Sequence, residues 1–395
     1  MPMKTKNLLT TMAIALTLLL AGKVGWGQTN PIPQSLPFSQ NFDGLAHSST
    51  SYPNGFQGWT ISTSPSSSFN TSAPTADRSL IASSTAETNS GNVHNYDGKI
   101  GFLNTGSLDL SVIFAINTKD LKDISVSYDI MTIRNPYDSS KKNTRINEVT
   151  LQYRIGTTGG FTNLTGIEYQ NDTTKQTTAV TTPQNLQTKN IVLPSECNDQ
   201  EIVQLRWASR QVSGGGSRPS FAFDNISITG VLIPKITLNP LSISFAYLES
   251  NGPSAEQSFT VEGSNLTDDI TVTPPTNYEI SLTSGSGFAG DPIVLNHTGG
   301  TVNSTPIYVR LKSGLAAGNY NENISVTSTG AATKNVSCSG TVYLPEPSDH
   351  VTGFTATVDG NSQITLTWTD ATGGTAPTGY LVMANTTGTF TDPVD

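Results

Sequence analysis

From Lys99 onward apolar and polar residues alternate with a period of two, the spacing of half-buried strands rather than helices. Ile100–Leu103, Leu108–Ile116, Ile124–Ile133 and Val149–Ile155 read as strands parted by Gly, Asn and Asp turns. Lys119–Asp123 and Asn135–Asn143 read as loops, and residues 157–160 (TTGG) as a hairpin turn. In Ile202–Ser209, Val203, Leu205 and Trp207 share one face. The loop Ser213–Ser217 (SGGGS) then leads into Phe221–Gly230 (FAFDNISITG), which closes this first segment. Within that stretch Phe221 and Phe223 share one phase and Ile226 and Ile228 the other. The slip falls at Asp224-Asn225 and predicts a β-bulge, because a period-two strand cannot otherwise keep one face buried.

The same pattern continues after the linker at 231–235 (VLIPK). Glu256–Glu262, Ile270–Thr273, Tyr278–Leu282, Ile307–Leu311, Asn323–Thr329 and Val336–Val342 read as strands of a second sandwich. Ala317-Gly318-Asn319-Tyr320 has the form of a turn leading to a strand-entry tyrosine. Past a second linker at 344–350 (LPEPSDH), Ile364, Leu366 and Trp368 alternate against Thr365, Thr367 and Thr369, and Tyr380–Ala384 is expected as the next inner strand. The fold class is therefore all-β, tandem β-sandwiches: jelly-roll-like over 38–230, immunoglobulin-like over 234–343, and a partial fibronectin type III unit over 347–395. Half a sandwich leaves its inner face uncovered, so the expectation is that the chain continues beyond residue 395.

At the other end, Lys4 and Lys6 precede the apolar run Leu8–Ala21, and small residues follow before Gln28. Residues 1–27 thus read as a secretory signal peptide, too short for a comfortable membrane span. A Pro-rich lead-in (28–37) then reaches Phe38–Gly44 (FSQNFDG), where Phe38 and Phe42 share one strand face and Asn41 and Asp43 the other.

Composition agrees with this picture. Charged residues make up 13% of the 395, against 35 Gly and 22 Pro. The net charge is -9, and without the three lysines of residues 1–27 the balance is 18 basic against 30 acidic side chains. That balance argues against nucleic acid as a partner of these modules, since phosphate recognition draws on a basic surface. Cys197 and Cys338 fall in different expected domains, so no disulfide is expected, and Cys338 shares its phase with Val336 and Val342 as a core residue.

Several stretches together resemble secreted multi-domain proteins of Bacteroidetes-type bacteria. FSQNFDG and RWASR…FAFDNISITG resemble the bounds of their N-terminal jelly-roll modules. SFTVEGSNLTDDITVTPPTNYEIS, PIYVRLKSGLAAGNY and CSGTVY resemble the immunoglobulin-like module that often follows. PSDHVTGFTAT, ITLTWTD and GYLVMAN resemble the first half of a fibronectin type III domain. The resemblance implies a secreted or cell-surface protein. In that group such modules flank nucleases, peptidases, lamin-tail and sorting domains, so it says more about architecture than activity.

Four candidate sites follow. The first and last strands of a jelly roll are often neighbours, which would bring Asn41 and Asp43 to Asp224. Carboxylates with backbone carbonyls suit a structural Ca²⁺, and the resemblance to carbohydrate-binding modules adds to that expectation. The alternative is that Asp224-Asn225 merely turns the strand while Asp43 is solvated. Second, Trp59, Tyr128, Tyr137, Tyr153 and Tyr169 are candidate rings for stacking on sugars, with Trp207 assigned to the core. Third, His47, His94, His297 and His350 fall in no catalytic spacing, and Asp268-Asp269 reads as a turn rather than an acid/base pair. Fourth, the N-x-S/T triplets at Asn163, Asn265, Asn296, Asn323, Asn335 and Asn385 follow from an Asn/Thr-rich composition. The expected function is that of a non-catalytic binding or spacer protein, contacting an extracellular glycan or protein through the first sandwich. The alternative is an accessory N-terminal region of a secreted, nuclease-type hydrolase whose catalytic domain lies beyond residue 395.

Overall fold

A computed structural model describes residues 28–83, 90–135, 144–171, 183–346, 349–373, 377, 379–384 and 387. The expected signal peptide, Tyr137 and Asn385 lie outside the described residues. Among those described there are strands and one 3-10 turn (Ser195–Cys197) but no α-helix. The chain divides into two compact units between Leu232 and Ile233.

The first unit is built from two sheets. One runs Thr162–Asn163, Ile146–Ile155, Val203–Ser213, Asp109–Asn117, Phe56–Ser62, Ala76–Arg78, and the short Gln34–Ser35 and Tyr169–Gln170 strands join it from the side. The other runs Gln184–Val192, Leu121–Arg134, Ser220–Leu232, Ile100–Leu103, Asn92–Tyr96, Leu80–Ser83. Between them lies one apolar core in which Trp207 stacks on Phe223, ring centroids 4.7 Å apart, and meets Tyr128 edge-on. Phe38 and Phe42 both pack against Phe56, but not through a shared strand phase: the strand stops at Gln40 and Phe42 follows it at φ +54°.

Ser220–Leu232 organises the second sheet. Along one edge it pairs with Leu121–Arg134 throughout. Along the other its partner changes: Ile100–Leu103 flanks residues 220–223, and Phe38–Gln40 flanks residues 226–228. Within this sheet the earliest strand thus lies beside the latest, as expected from the sequence. The predicted bulge sits where the partner changes. Asp224 faces Asp129 and Ser227 faces Ser127, so Asn225 and Ile226 together oppose Tyr128 alone. Asn225 takes φ +49°, and Phe221, Phe223, Ile226 and Ile228 are all buried. Packing here is close: a Cβ on Gly101 would lie 1.9 Å from the Phe221 carbonyl oxygen.

The second unit also opposes two sheets. One orders Lys235–Asn239, Gln257–Ser264, Val302–Leu311, Tyr278–Ser281, and the other Ser242–Leu248, Lys334–Tyr343, Gly318–Thr327, Ile270–Thr273, Ile293–Leu295. Phe259, Ile307, Val309, Ile324 and Val336 fill its core together with Cys338. The Tyr320 hydroxyl donates to the Ala316 carbonyl at 2.7 Å, closing the turn that precedes its strand. Thr352–Asp359 and Gln363–Thr369 form a separate two-stranded sheet, with Ala356 opposite Leu366 and Val358 opposite Ile364.

Two expectations need correction, and one strand was not anticipated. Tyr380–Ala384 is not a strand: among the described residues no strand pairs with it, and its own residues are exposed. Lys119–Asp123 is not wholly a loop, because Leu121–Arg134 begins inside it, with Asp120 and Asp123 at positive φ. Gln184–Val192 is a nine-residue edge strand that the apolar pattern does not reveal, since its alternating positions are mostly polar. Both cysteines are buried and free, one in each unit, and burial raises each thiol to about 12.

Trp207→Ala will remove the largest ring of the first core, at a cost of about 3–5 kcal/mol. Denaturant unfolding followed by near-UV circular dichroism will show the first unit's transition displaced and the second unit's unchanged.

Candidate functional site

The bulge brings the sequence-predicted metal residues to one seam. Asn41 Nδ2 donates to Asp43 Oδ2 at 2.7 Å, and the Asp43 amide donates back to Asn41 Oδ1 at 3.2 Å. Phe42, between them, takes φ +54° and turns its ring into the core. Asp224 accepts the Asn225 amide at 2.9 Å on one oxygen, while Lys99 Nζ lies 3.6 Å from the other. Burial pushes the Asp224 carboxyl up. The Asn225 amide and the Lys99 charge pull it back, and the Asp43 charge adds a smaller upward push. A Ca²⁺ here would have to displace Lys99 and open the Asn41–Asp43 pair, so the residues as arranged do not fit the ion. Among the described residues no group of three or more His, Cys, Asp or Glu side chains could hold a metal.

Beside this pair the bulge leaves a shallow depression of 330 Å³, lined by Ser39, Gln40, Asn41, Asn225, Ile226 and Ser227. Asn225 Nδ2 donates to Asp129 Oδ2 at 2.8 Å, and Thr188 donates to the other Asp129 oxygen at 2.5 Å. Ile226 is buried, so uncharged amides and hydroxyls furnish the accessible lining.

The proposed sugar-stacking rings are not a surface. Trp59, Tyr128, Tyr153 and Tyr169 are all buried, because each faces either the core or a covered sheet face. Trp207 is in the core as expected. The histidines are dispersed: His47 pairs with Asp97, His94 Nε2 lies 3.0 Å from the Ser90 carbonyl, His297 Nδ1 accepts the Gly300 amide, and His350 is exposed. Asp268 and Asp269 brace a turn, accepting from Thr329 and from the His297 amide respectively.

A second polar constellation is not apparent from the sequence. Opposite Val203, Leu205 and Trp207, the same strand carries Gln204, Arg206 and Arg210, and its neighbour carries Glu148, Gln152 and Arg154. Simple alternation places this face in water, yet Arg206, Gln204 and Gln152 are fully buried and Arg154 nearly so. Three cross-strand pairs form a ladder: Arg154 to Gln204 at 2.8 Å, Arg206 to Gln152 at 2.7 Å, and Arg210 to Glu148 at 2.6 Å. Residues 63–75 cross over it as a strap. The Asn70 and Ser72 carbonyls each accept from Arg206 at 2.9 Å, and the Thr71 carbonyl accepts the Phe161 amide at 2.7 Å. The Phe161 ring centre lies 3.8 Å from the Arg206 guanidinium carbon and 4.5 Å from that of Arg154. Burial lowers Arg206 to about 9, helped by the Arg154 charge, and Arg154 to about 10. Both remain charged at neutral pH, and neither forms an ion pair among the described residues. The only sequence signal is two arginines in phase with glutamines on strands whose other face is apolar.

At the end of this face Asp109 is buried, accepting from Asn104 at 3.1 Å and Ser62 at 3.3 Å. Burial raises its carboxyl to about 6 against those hydrogen bonds and the Arg206 charge.

No family model matches the chain, and no curated protein matches it by sequence. Among solved structures, it is similar to the adhesin domain of Epf from Streptococcus pyogenes at 9% identity and TM-score 0.27, covering 79% of this chain and 98% of that one. The CupB6 tip adhesin of Pseudomonas aeruginosa matches at 9% identity and TM-score 0.20, covering 72% and 99%. The tandem CBM22 domains of Paenibacillus barcinonensis Xyn10C match at 8% identity and TM-score 0.21, covering 68% and 100%. Sequence and superposition are both distant, and the functional reading rests on the chain's own geometry. No helix among the described residues is long and apolar enough to cross a membrane.

Two outcomes follow. With Lys99 beside Asp224, the thermal midpoint will be the same in Ca²⁺ and in EDTA, as scanning calorimetry will record. Folded Asp109 holds its proton more tightly than the unfolded chain, so its contribution to stability is full below pH 4 and is lost as pH rises to about 6. Urea titrations across that range will show Asp109→Asn abolishing a fall of up to about 3 kcal/mol.

Proposed function

We propose that this chain is a secreted or cell-surface binding protein whose first sandwich contacts an extracellular glycan or protein at the bulge. The observation that carries the reading is the depression beside Asp224, with Ser39, Gln40, Asn41, Asn225 and Ser227 around it. Amide and hydroxyl side chains donate and accept equally, which suits a hydroxylated or peptide-like ligand better than a strongly charged one. The site stands on strands rather than a long loop, so its geometry is held by the ladder beneath it. With no exposed ring in the lining, recognition would proceed by hydrogen bonding.

The test is a glycan array probed with the full chain, followed by calorimetric titration of the best ligand. Asn225→Ala and Asn41→Ala are expected to weaken binding about tenfold each, the equivalent of one lost hydrogen bond. An array and a surface-protein overlay that both stay blank would sink the reading.

A further inference from the structure

We infer that the buried Arg154–Arg206 face is a second ligand site, covered by the strap 63–75, that takes a carboxylated saccharide of the uronic-acid class. This deepens the binding role proposed above and rests on it.

The first observation is electrostatic. The two guanidiniums share the Phe161 ring, at 3.8 and 4.5 Å from its centre; neither has a carboxylate at ion-pair distance among the described residues, and the Asp109 charge acts on Arg206 only from farther away. Their partners are uncharged: Arg206 donates to the Gln152 amide oxygen and the Asn70 and Ser72 carbonyls, and Arg154 to the Gln204 and Asn30 amide oxygens and the Gly159 carbonyl. A guanidinium–carboxylate contact is about twice as strong as one to a neutral acceptor and presents a matching fork. An acid entering this face therefore improves on what the strap supplies.

The second observation is mechanical. Within residues 63–75 only Pro74 is buried. The strap is held by polar contacts, among them Gln211 N to Ser66 O at 2.8 Å and Gln152 Nε2 to Asn70 O at 3.2 Å. Segments with few buried apolar contacts open at lower free energy than the sheets they cover. Opening this one uncovers Arg206 and Gln152, already locked to each other across the strands, with Arg154 beside them on the same Phe161 ring.

The third observation selects the ligand. Phe161 and Trp59 lie against the guanidiniums, with the Arg154 guanidinium carbon 5.4 Å from the Trp59 ring centre. Flat apolar rings, two glutamine amides and paired positive charges together match a sugar ring bearing hydroxyls and a carboxylate. An acidic peptide would use the charges but leave the amides and rings without a counterpart.

The experiment titrates the full chain with hexagalacturonate, with neutral xylohexaose and with hexaglutamate, by calorimetry at low and high salt. Hydrogen exchange is followed in parallel. Hexagalacturonate is expected to bind, more weakly as salt rises, and to speed exchange in residues 63–75 while the two sheets stay protected. Arg206→Gln should weaken it at least tenfold. Should that variant fail to fold, Arg154→Gln carries the same expectation, and the exchange result on the unaltered chain stands alone. Absence of hexagalacturonate binding, binding with unchanged strap exchange, or equal binding of hexaglutamate would each overturn the proposal. Binding of xylohexaose alone, sensitive to Asn225→Ala, would overturn it while leaving the role at the bulge intact.

Discussion

The first sandwich depends on one requirement: Ser220–Leu232 must keep its apolar side chains inward while one edge changes partner. Phe221 and Phe223 face the core beside Ile100–Leu103, and Ile226 and Ile228 face it beside Phe38–Gln40. A regular strand would turn the second pair to solvent. One extra residue, Asn225 at positive φ, restores the phase. Asn tolerates that conformation better than most side chains, and its amide is anchored on Asp129. Everything beside the bulge follows from it: Asp224 turned toward Lys99, and the polar depression opened at the surface.

The opposite sheet meets a different constraint. Its outer face bears arginine and glutamine yet is covered, so each polar group must find a partner within the protein. Cross-strand register supplies most of them, since each arginine stands directly opposite an acceptor on the neighbouring strand. Main-chain carbonyls of the strap and of Gly159, with the Asn30 side-chain oxygen, add further partners. This sheet therefore has an apolar side and a hydrogen-bonded side, both shielded from water.

Much of the fold was legible because alternation and turn residues are local signals. Ile100–Leu103 and Ile270–Thr273 are bounded as their apolar residues indicate, and the phase slip at Asp224-Asn225 located the bulge. What alternation cannot reveal is which outward face a distant segment will cover. For that reason Trp59 read as a candidate surface ring and Arg206 was not singled out, whereas Tyr153 and Tyr169 face the core between the sheets. Nor does it reveal strands such as Gln184–Val192, whose side chains are largely polar on both faces. The pairing of Phe38–Gln40 with Ile226–Ile228 places Asn41 at the bulge, as expected from strand order. Lys99 was not anticipated at the seam because its neighbour there depends on strand order, not on sequence spacing.

The pairing of Phe38–Gln40 with Ile226–Ile228 also governs time. The sheet cannot be completed until nearly the whole first unit exists as chain, because its earliest strand waits for its latest. Contacts so remote in sequence place the unit among topologies that fold slowly, since loop closure must precede their reward. Until that last strand docks, Phe38 and Phe42 lack their cover and the sheet keeps an open edge. The chain is most vulnerable to mispairing in that interval, and strand order rather than final stability sets how long it lasts.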